Sequence, residues 1–475
     1  MTESVSNYSF LNKLSLLTQY NDPIDRSLYE KYDVKRGLRY SDGRGVLVGL
    51  TNIGDVLGYE LDKDGHAVAI PGKLIYRGYN VEDIVADSVA NHQFGYEQCV
   101  YLLLFGVLPT RDQLKEFTEY LGALRTLPAN FTEDMIMKAP SNDIMNKIAR
   151  GVLASYSYDP DPENRDVVNI IRQCIELISR FSTLAAYGYQ AKRRYYDGKS
   201  MYIHNPKPEL CTAENFLRLI RSDKQYTPLE AELLDLSLIL HAEHGGGNNS
   251  SFTIHVVSSA DTGTYSAVAA AVGSLKGSRH GGANIRVMEM MDDIKKNVKD
   301  WANESEIRNY LVKIASKQAF DRTGLIYGQG HGVYTISDPR ATLLRNKASE
   351  LAKEKGVEEE FHLYNIIERL APDVLFELHG GKKRICTNVD FYSGFVYSML
   401  GIPRELYTPL FAISRIAGWS AHRIEEIVAG RRIYRPAYKG IAGERRYVPM
   451  DQRVENKILQ VKQEDNRVPT TGPSD

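Results

Sequence analysis

The stretch Thr227-Pro228-Leu229-Glu230-Ala231-Glu232-Leu233-Leu234-Asp235-Leu236-Ser237-Leu238-Ile239-Leu240-His241-Ala242-Glu243-His244-Gly245-Gly246-Gly247 decides the fold class. It opens as a helix start, with Thr227 as N-cap, Pro228 at the first helical position and Glu230 at the third. It is apolar over 233–240, and the three glycines predict its end. The same grammar repeats on either side. Thr110 and Gln113 form a second capping pair, followed by Leu114, Phe117, Leu121 and Leu124 on one helical stripe. From Asp166 a long helix places Val167, Ile170, Ile171, Cys174, Ile178 and Phe181 on its buried side. Further helices are predicted over 265–275, 283–296, 304–318, 339–355, 358–370, 390–400 and 409–429. The alanine-rich run 267–273 suits close helix–helix approach. Strand signals concentrate in 46–75, where glycine-punctuated alternation predicts one or two short hairpins. The predicted fold class is all-α. After Gln452 the chain turns polar, and its end is expected to be mobile.

Composition narrows the function. In 475 residues, 59 Lys and Arg balance 60 Asp and Glu, for a net charge of −1, which argues against a nucleic-acid partner. Hydrophobic residues at 43% and charged residues at 25% are those of an ordinary globular protein, of about three domains or of one or two larger ones. No apolar run reaches the ~18–20 residues that span a membrane. The N-terminus resembles neither a secretory signal nor an organelle presequence. Cys99, Cys174, Cys211 and Cys386 lie far apart without a C-x-x-C pair, so neither a disulfide framework nor a zinc site is expected. The expected compartment is a reducing cytoplasm, with no membrane association.

The chemistry concentrates in histidines and arginines. His241, His244, His255, His280 and His331 fall within 91 residues of the 475, and His244, His280 and His331 each adjoin glycine, where backbone approaches a ligand closely. Arg340 follows Asp338-Pro339, which read as N-cap and first helical residue. A helix start favours an anion, though a solvated arginine fits the same pattern. Arg415 lies inside Leu410-Phe411-Ala412-Ile413-Ser414-Arg415-Ile416-Ala417-Gly418-Trp419, a helix that reads as buried nearly all round, so its charge needs a carboxylate. Arg435, in Tyr434-Arg435-Pro436, adds a weaker signal. Asp390 is the candidate general base, or else an N-cap. A carboxylate, neutral histidines and an arginine cluster suit proton abstraction beside a carbonyl in a substrate with several carboxylates.

Taken together these motifs resemble the citrate synthase family over nearly the whole chain. His241-Ala242-Glu243-His244-Gly245-Gly246-Gly247-Asn248-Asn249-Ser250 resembles its oxaloacetate segment, and Arg279-His280-Gly281-Gly282-Ala283-Asn284 its first catalytic-histidine motif. Gly328-Gln329-Gly330-His331-Gly332-Val333-Tyr334 with Asp338-Pro339-Arg340-Ala341 resembles the second. Asn388-Val389-Asp390-Phe391-Tyr392-Ser393-Gly394 resembles the catalytic-aspartate motif, and the segments around Arg415 and Arg435 the C-terminal substrate arginines. The resemblance implies that Asp390 deprotonates acetyl-CoA, His280 stabilises the enol, and His331 polarises oxaloacetate. It implies that His244, Arg340, Arg415 and Arg435, the last from a partner subunit, hold the oxaloacetate carboxylates. CoA would meet Leu325, Ile326, Tyr327, Gly328, Gly330 and Lys383. No metal and no cofactor are implied, since acetyl-CoA is a substrate.

The resemblance also implies a large helical domain, 1–284 with 389–475, an inserted small domain, 285–388, and a homodimer or a multiple of it. Gly332, Thr387 and Gly245 depart from residues common in the family at those positions. The extra N-terminal module of the NADH-inhibited forms is not seen, so that regulation is not expected. The nearest rival is 2-methylcitrate synthase, using propionyl-CoA on the same groups. More distant rivals are a non-catalytic helical CoA- or dicarboxylate-binding protein and a hydrolase or metalloenzyme. The last two lack a G-x-S-x-G elbow and an H-E-x-x-H motif respectively.

Overall fold

The computed structural model describes residues 2–40, 44–64, 66–381, 384–430 and 432–454, and the side chains of all of these except 2–9 and 13. The expected polar tail lies, from 455 onward, outside the described residues. Contacts divide the chain into two compact units, residues 48–434 and the two chain ends, 1–47 with 435–475. In the terminal unit are α1 (Thr2–Asn21) and α2 (Ser27–Lys31), and the Lys439 ammonium lies 5.7 Å from the centre of the Tyr32 ring.

The larger unit begins with the predicted hairpin. β1 (Gly54–Leu61) runs antiparallel to β2 (Ala67–Tyr76), pairing Gly54 with Tyr76 and Leu61 with Ala67, and β3 (Tyr79–Asn80) adds a short third strand. The register slips between Leu57 and Tyr59. Gly58 sits at the slip, where a Cβ would lie 2.6 Å from the Val333 carbonyl oxygen. The Gly72 N–H donates to the Ser337 carbonyl at 3.2 Å, and the Tyr334 hydroxyl donates to the Lys73 carbonyl at 3.3 Å. The hairpin therefore lies directly against the segment that follows His331.

The rest is helical: α3 (Val81–Ala90), α4 (Tyr96–Phe105), α5 (Arg111–Leu124), α6 (Ile144–Ser155), α7 (Val167–Tyr195), α8 (Thr212–Ile220), α9 (Pro228–His241), α10 (Asn249–Ser259), α11 (Thr264–Lys276), α12 (Ala283–Asn297), α13 (Glu304–Ala315), α14 (Pro339–Lys355), α15 (Glu358–Leu378), α16 (Val389–Met399) and α17 (Tyr407–Ala429). The capping boxes of Thr110 with Gln113 and of Thr227 with Glu230 are both formed. The opening helix ends at His241, four residues before the first glycine. There the Ala242 carbonyl, instead of continuing the helix, accepts the Gly418 N–H at 3.1 Å. Val167 is exposed, not buried as expected, because it occupies the first helical position of α7, ahead of the packed turns. α15 passes through Pro372 and runs to Leu378, since Val374 and Leu375 beyond the proline are buried.

The core centres on α17, which packs against α4, α7, α9, α10 and α11. Ala412 through Arg423 are all buried, so its polar residues must find partners inside. A second cluster joins α12, α14 and α16, and brings the Asp390 helix beside the Arg340 helix. Among the described residues no helix is long and apolar enough to cross a membrane.

Candidate active site

Arg415 is fully buried on α17. Its Nε donates to the His241 carbonyl at 2.6 Å, at the C-terminus of α9, where the helix dipole favours a cation. The guanidinium carbon lies 4.7 Å from the centre of the Phe411 ring. Both Nη atoms are buried without a hydrogen-bond partner. Burial pulls the guanidinium down to about 10, against the supporting charge of Glu243. A buried arginine offering a two-nitrogen edge is a receptor for a carboxylate.

His244 faces the same space. Burial, with the charges of Arg340 and Arg415 and the ring of His331, holds it well below the usual histidine range, so it is neutral. His241 is held down likewise, by burial first and then by Arg340 and Arg415. The His244 and His331 rings meet edge to face at 5.0 Å, and His331 stacks on buried Tyr334 at 4.5 Å. Nδ1 of His331 accepts the backbone N–H groups of Val333, at 3.0 Å, and Tyr334, at 3.1 Å. A neutral imidazole so engaged carries its proton on Nε2. His331 is thus a hydrogen-bond donor beside His244.

Asp338 organises the opposite wall. It caps α14 by accepting the Arg340 N–H, and it holds the Arg340 side chain through Nε at 3.0 Å and Nη2 at 2.7 Å. Burial opposes the Arg340 charge, but the ion pair outweighs it and holds the guanidinium firmly protonated. The second Asp338 oxygen accepts the Val389 N–H at 3.3 Å, at the start of α16. The N-cap of α16 is Asn388, so Asp390 is not the cap and its carboxyl is left for other work. Burial pushes Asp390 up to about 6, Arg340 pulling it down and Asp338 pushing it further up. A carboxylate tuned close to neutrality is suited to act as a base.

His280 precedes α12. Its Nε2 lies 3.1 Å from the Ser250 hydroxyl, which accepts the Trp419 indole N–H at 3.0 Å and is 2.9 Å from Asn248 Oδ1. When the hydroxyl donates to Asn248, His280 donates from Nε2. When it turns to Nε2, the neutral ring holds its proton on Nδ1. Burial, aided by the Arg415 charge, pushes His280 down to about 4.

The 325–330 segment is stitched to the entry of α16. The Gly330 N–H donates to the Cys386 carbonyl at 2.7 Å, and the Asn388 N–H to the Gly328 carbonyl at 2.9 Å. Asn388 Nδ2 reaches the Gly330 carbonyl at 2.9 Å, and Gln329 bridges to Thr387. These groups of Gly328 and Gly330 are committed to the protein, while Leu325 is exposed and Ile326 buried. The Tyr327 hydroxyl donates to Asp321 at 2.7 Å. Gly328 has φ +81° and packs on Phe391, where a Cβ would lie 2.8 Å from that side chain. Gly245 has φ +82°, a left-handed conformation that glycine adopts without strain. Lys383 lies outside the described residues. Arg435 is exposed and belongs to the terminal unit. Sequence reading missed Ser250, Glu243 and Asp338 as functional partners. Only Asp338 had a local signal, its position two residues before an arginine at a helix start.

Residues 38–437 match the family model described as "Citrate synthase, C-terminal domain". A citrate synthase of Haloferax volcanii is 34% identical over 89% of this chain and 99% of its own length. A 2-methylcitrate synthase of Corynebacterium glutamicum is 33% identical over 80% of this chain and 92% of its own. The citrate synthase of Thermoplasma acidophilum, solved as a ternary complex with carboxymethyl coenzyme A and oxaloacetate, superposes with a TM-score of 0.69 at 28% identity, covering 88% of this chain and 99% of that one. The neutral histidines, the buried arginine with two free nitrogens and the raised aspartate thus sit on a matching sequence and a matching helical fold: the chain belongs to the citrate synthase family.

Proposed function

We propose that this chain joins acetyl-CoA to oxaloacetate and water, giving citrate and CoA, with the following division of labour. Asp390 takes a methyl proton from acetyl-CoA. His280, with the Ser250 hydroxyl turned toward its Nε2, offers Nδ1–H to the thioester oxygen as the enol forms. The enol carbon attacks the oxaloacetate ketone, whose oxygen receives the Nε2–H of His331. Water then cleaves citryl-CoA, and CoA leaves as the thiol. His244, Arg340 and Arg415 hold the oxaloacetate carboxylates, and Arg435 reaches this site from a second copy of the chain in a homodimer. The histidines and arginines supply the electrostatic stabilisation, so this scheme needs no metal or cofactor.

The observation that carries the reading is Arg415, a buried cation whose two free nitrogens face neutral histidines. We further propose that residues 285–388 form a smaller inserted domain against 1–284 with 389–475, that its closing excludes water, and that Leu325, Ile326, Tyr327, Gly328, Gly330 and Lys383 serve CoA. The four cysteines, all free and buried, fit a reducing compartment, and we place the protein in the cytoplasm as an enzyme of the tricarboxylic acid cycle.

A second reading is 2-methylcitrate synthase, favoured by relatives of that name at nearly the same identity. A pocket distinguishes one methylene by only ~1–3 kcal/mol. The test is thiol release from acetyl-CoA and propionyl-CoA with oxaloacetate. A higher kcat/KM for acetyl-CoA supports the first reading and a higher value for propionyl-CoA the second. No release with either refutes both.

A further inference from the structure

Behind the Arg415 wall lies a buried chain of four titratable side chains that the proposed mechanism does not use. Glu243 Oε1 is 3.0 Å from Nε2 of His422. His422 Nδ1 is 3.0 Å from Nε2 of His255, and His255 Nδ1 is 2.8 Å from Glu426 Oε2. His422 and Glu243 are fully buried, and His255 and Glu426 nearly so. All four ring nitrogens are engaged, and the proton between the rings belongs to His422, which Glu243 pushes up, while burial and the His422 charge hold His255 down. Both ends are carboxylate acceptors, so three protons occupy three hydrogen bonds. With both carboxylates ionised, His255 donates from Nδ1 to Glu426 and accepts at Nε2. His422 donates from both nitrogens and is an imidazolium.

The chain touches the substrate side at Glu243. Its other oxygen, Oε2, is buried without a hydrogen-bond partner, and the carboxylate is the counter-charge that Arg415 feels. A carboxylate beside Arg415 competes with the substrate for that cation. We propose that His422 is a positioning residue of the oxaloacetate site: its charge cancels that of Glu243, which leaves the Arg415 guanidinium to the substrate carboxylate. This inference rests on the oxaloacetate reading above.

The groups facing His422 are Glu243 from the segment after α9, His255 from α10, and Glu425 on its own helix, at 3.8 Å. Glu425 is tied to the Thr51 hydroxyl and the Asn52 N–H, each at 2.7 Å, and Arg415 lies two turns back on α17. Burial opposes the His422 charge, but Glu243 outweighs it and the ring is pushed up to about 9. The cancelling charge is present at neutral pH and is lost as pH rises through that value.

The test is steady-state kinetics at pH 7.5 on the full chain, wild type and variants, with thiol release as readout. His422→Asn removes the cancelling charge and raises KM for oxaloacetate roughly 5- to 150-fold, the usual range of coupling between interacting sites, with the effect on KM and not on kcat. Glu243→Gln removes the charge to be cancelled and lowers KM for oxaloacetate. The double variant returns KM from the His422→Asn value toward wild type, which a merely structural role for His422 would not do. If His422→Asn does not fold, Glu243→Gln alone decides, since a raised KM for oxaloacetate overturns the inference. An unchanged KM in His422→Asn, or a double variant as impaired as the single, also overturns it. Wild-type protein without thiol release would instead overturn the oxaloacetate reading itself.

Discussion

Replacing Asp390 by Asn should abolish turnover and stabilise the protein. The raised carboxyl, about 6 against an ordinary 3.8, means that the folded chain binds this proton more tightly than the unfolded chain does. Stability is therefore lost as pH rises through the window from 3.8 to about 6, and the full cost is present above it. Two units at ~1.4 kcal/mol each give a cost of about 3 kcal/mol at pH 8 and about half of that at pH 5. Asn keeps the size and cannot ionise, so the variant regains that amount. If residues 48–434 unfold as one unit, the gain is about 4 °C in Tm at pH 8 and visibly less at pH 5. The assay is thermal unfolding of both proteins across pH 5 to 8, with thiol release in parallel. In the wild type, kcat/KM should fall about tenfold per unit below pH 6 as the base is protonated. A variant that is less stable at pH 8, or a difference independent of pH, would refute the claim that burial of Asp390 is what tunes the base.

Three further outcomes are expected. Arg415→Leu should weaken oxaloacetate binding by roughly 30-fold or more, measured by calorimetry, because removing one partner of a buried charge pair costs ~2–5 kcal/mol; the ligand-free protein should become more stable, having lost a buried cation with two unpartnered nitrogens. Gly418→Ala should cost about 1–3 kcal/mol of stability by thermal unfolding, since its Cβ would overlap a Glu243 carboxylate oxygen and crowd the Ala242 carbonyl. Gly72→Ala should lower kcat roughly tenfold to a hundredfold with unchanged helix content by circular dichroism, because its Cβ would displace the Ser337 carbonyl and the Tyr334 ring on which His331 stacks.

The helices were legible where their signals are local. Thr227-Pro228-Leu229-Glu230 and Asp338-Pro339 need no distant partner, and both begin helices where expected. α8 escaped because its cap is Cys211, whose sulfur accepts the Glu214 N–H at 3.4 Å, and cysteine is not among the preferred capping residues. The end of α15 was misplaced because Pro372 reads as a stop, while burial of the next turn carries the helix on. In the site, Arg415 was legible as a charge in an apolar run. His422, seven residues later on the same buried helix, was not, because its partner Glu243 is 179 residues away and packing alone joins them. Asp338 was read only as a cap, since its grip on the Arg340 side chain depends on a rotamer, not on spacing.

Asp338 has one more consequence. Through it, the start of the helix that carries Arg340 and the start of the helix that carries Asp390 are clamped to one carboxylate. The 49 residues between Arg340 and Asp390 therefore need not act as a ruler between substrate arginine and base. In evolutionary terms this uncouples the alignment of the chemistry from the intervening sequence. Loops there can lengthen, shorten or drift, and new surface contacts can be selected on that segment, provided that the clamp and its two helix starts are kept.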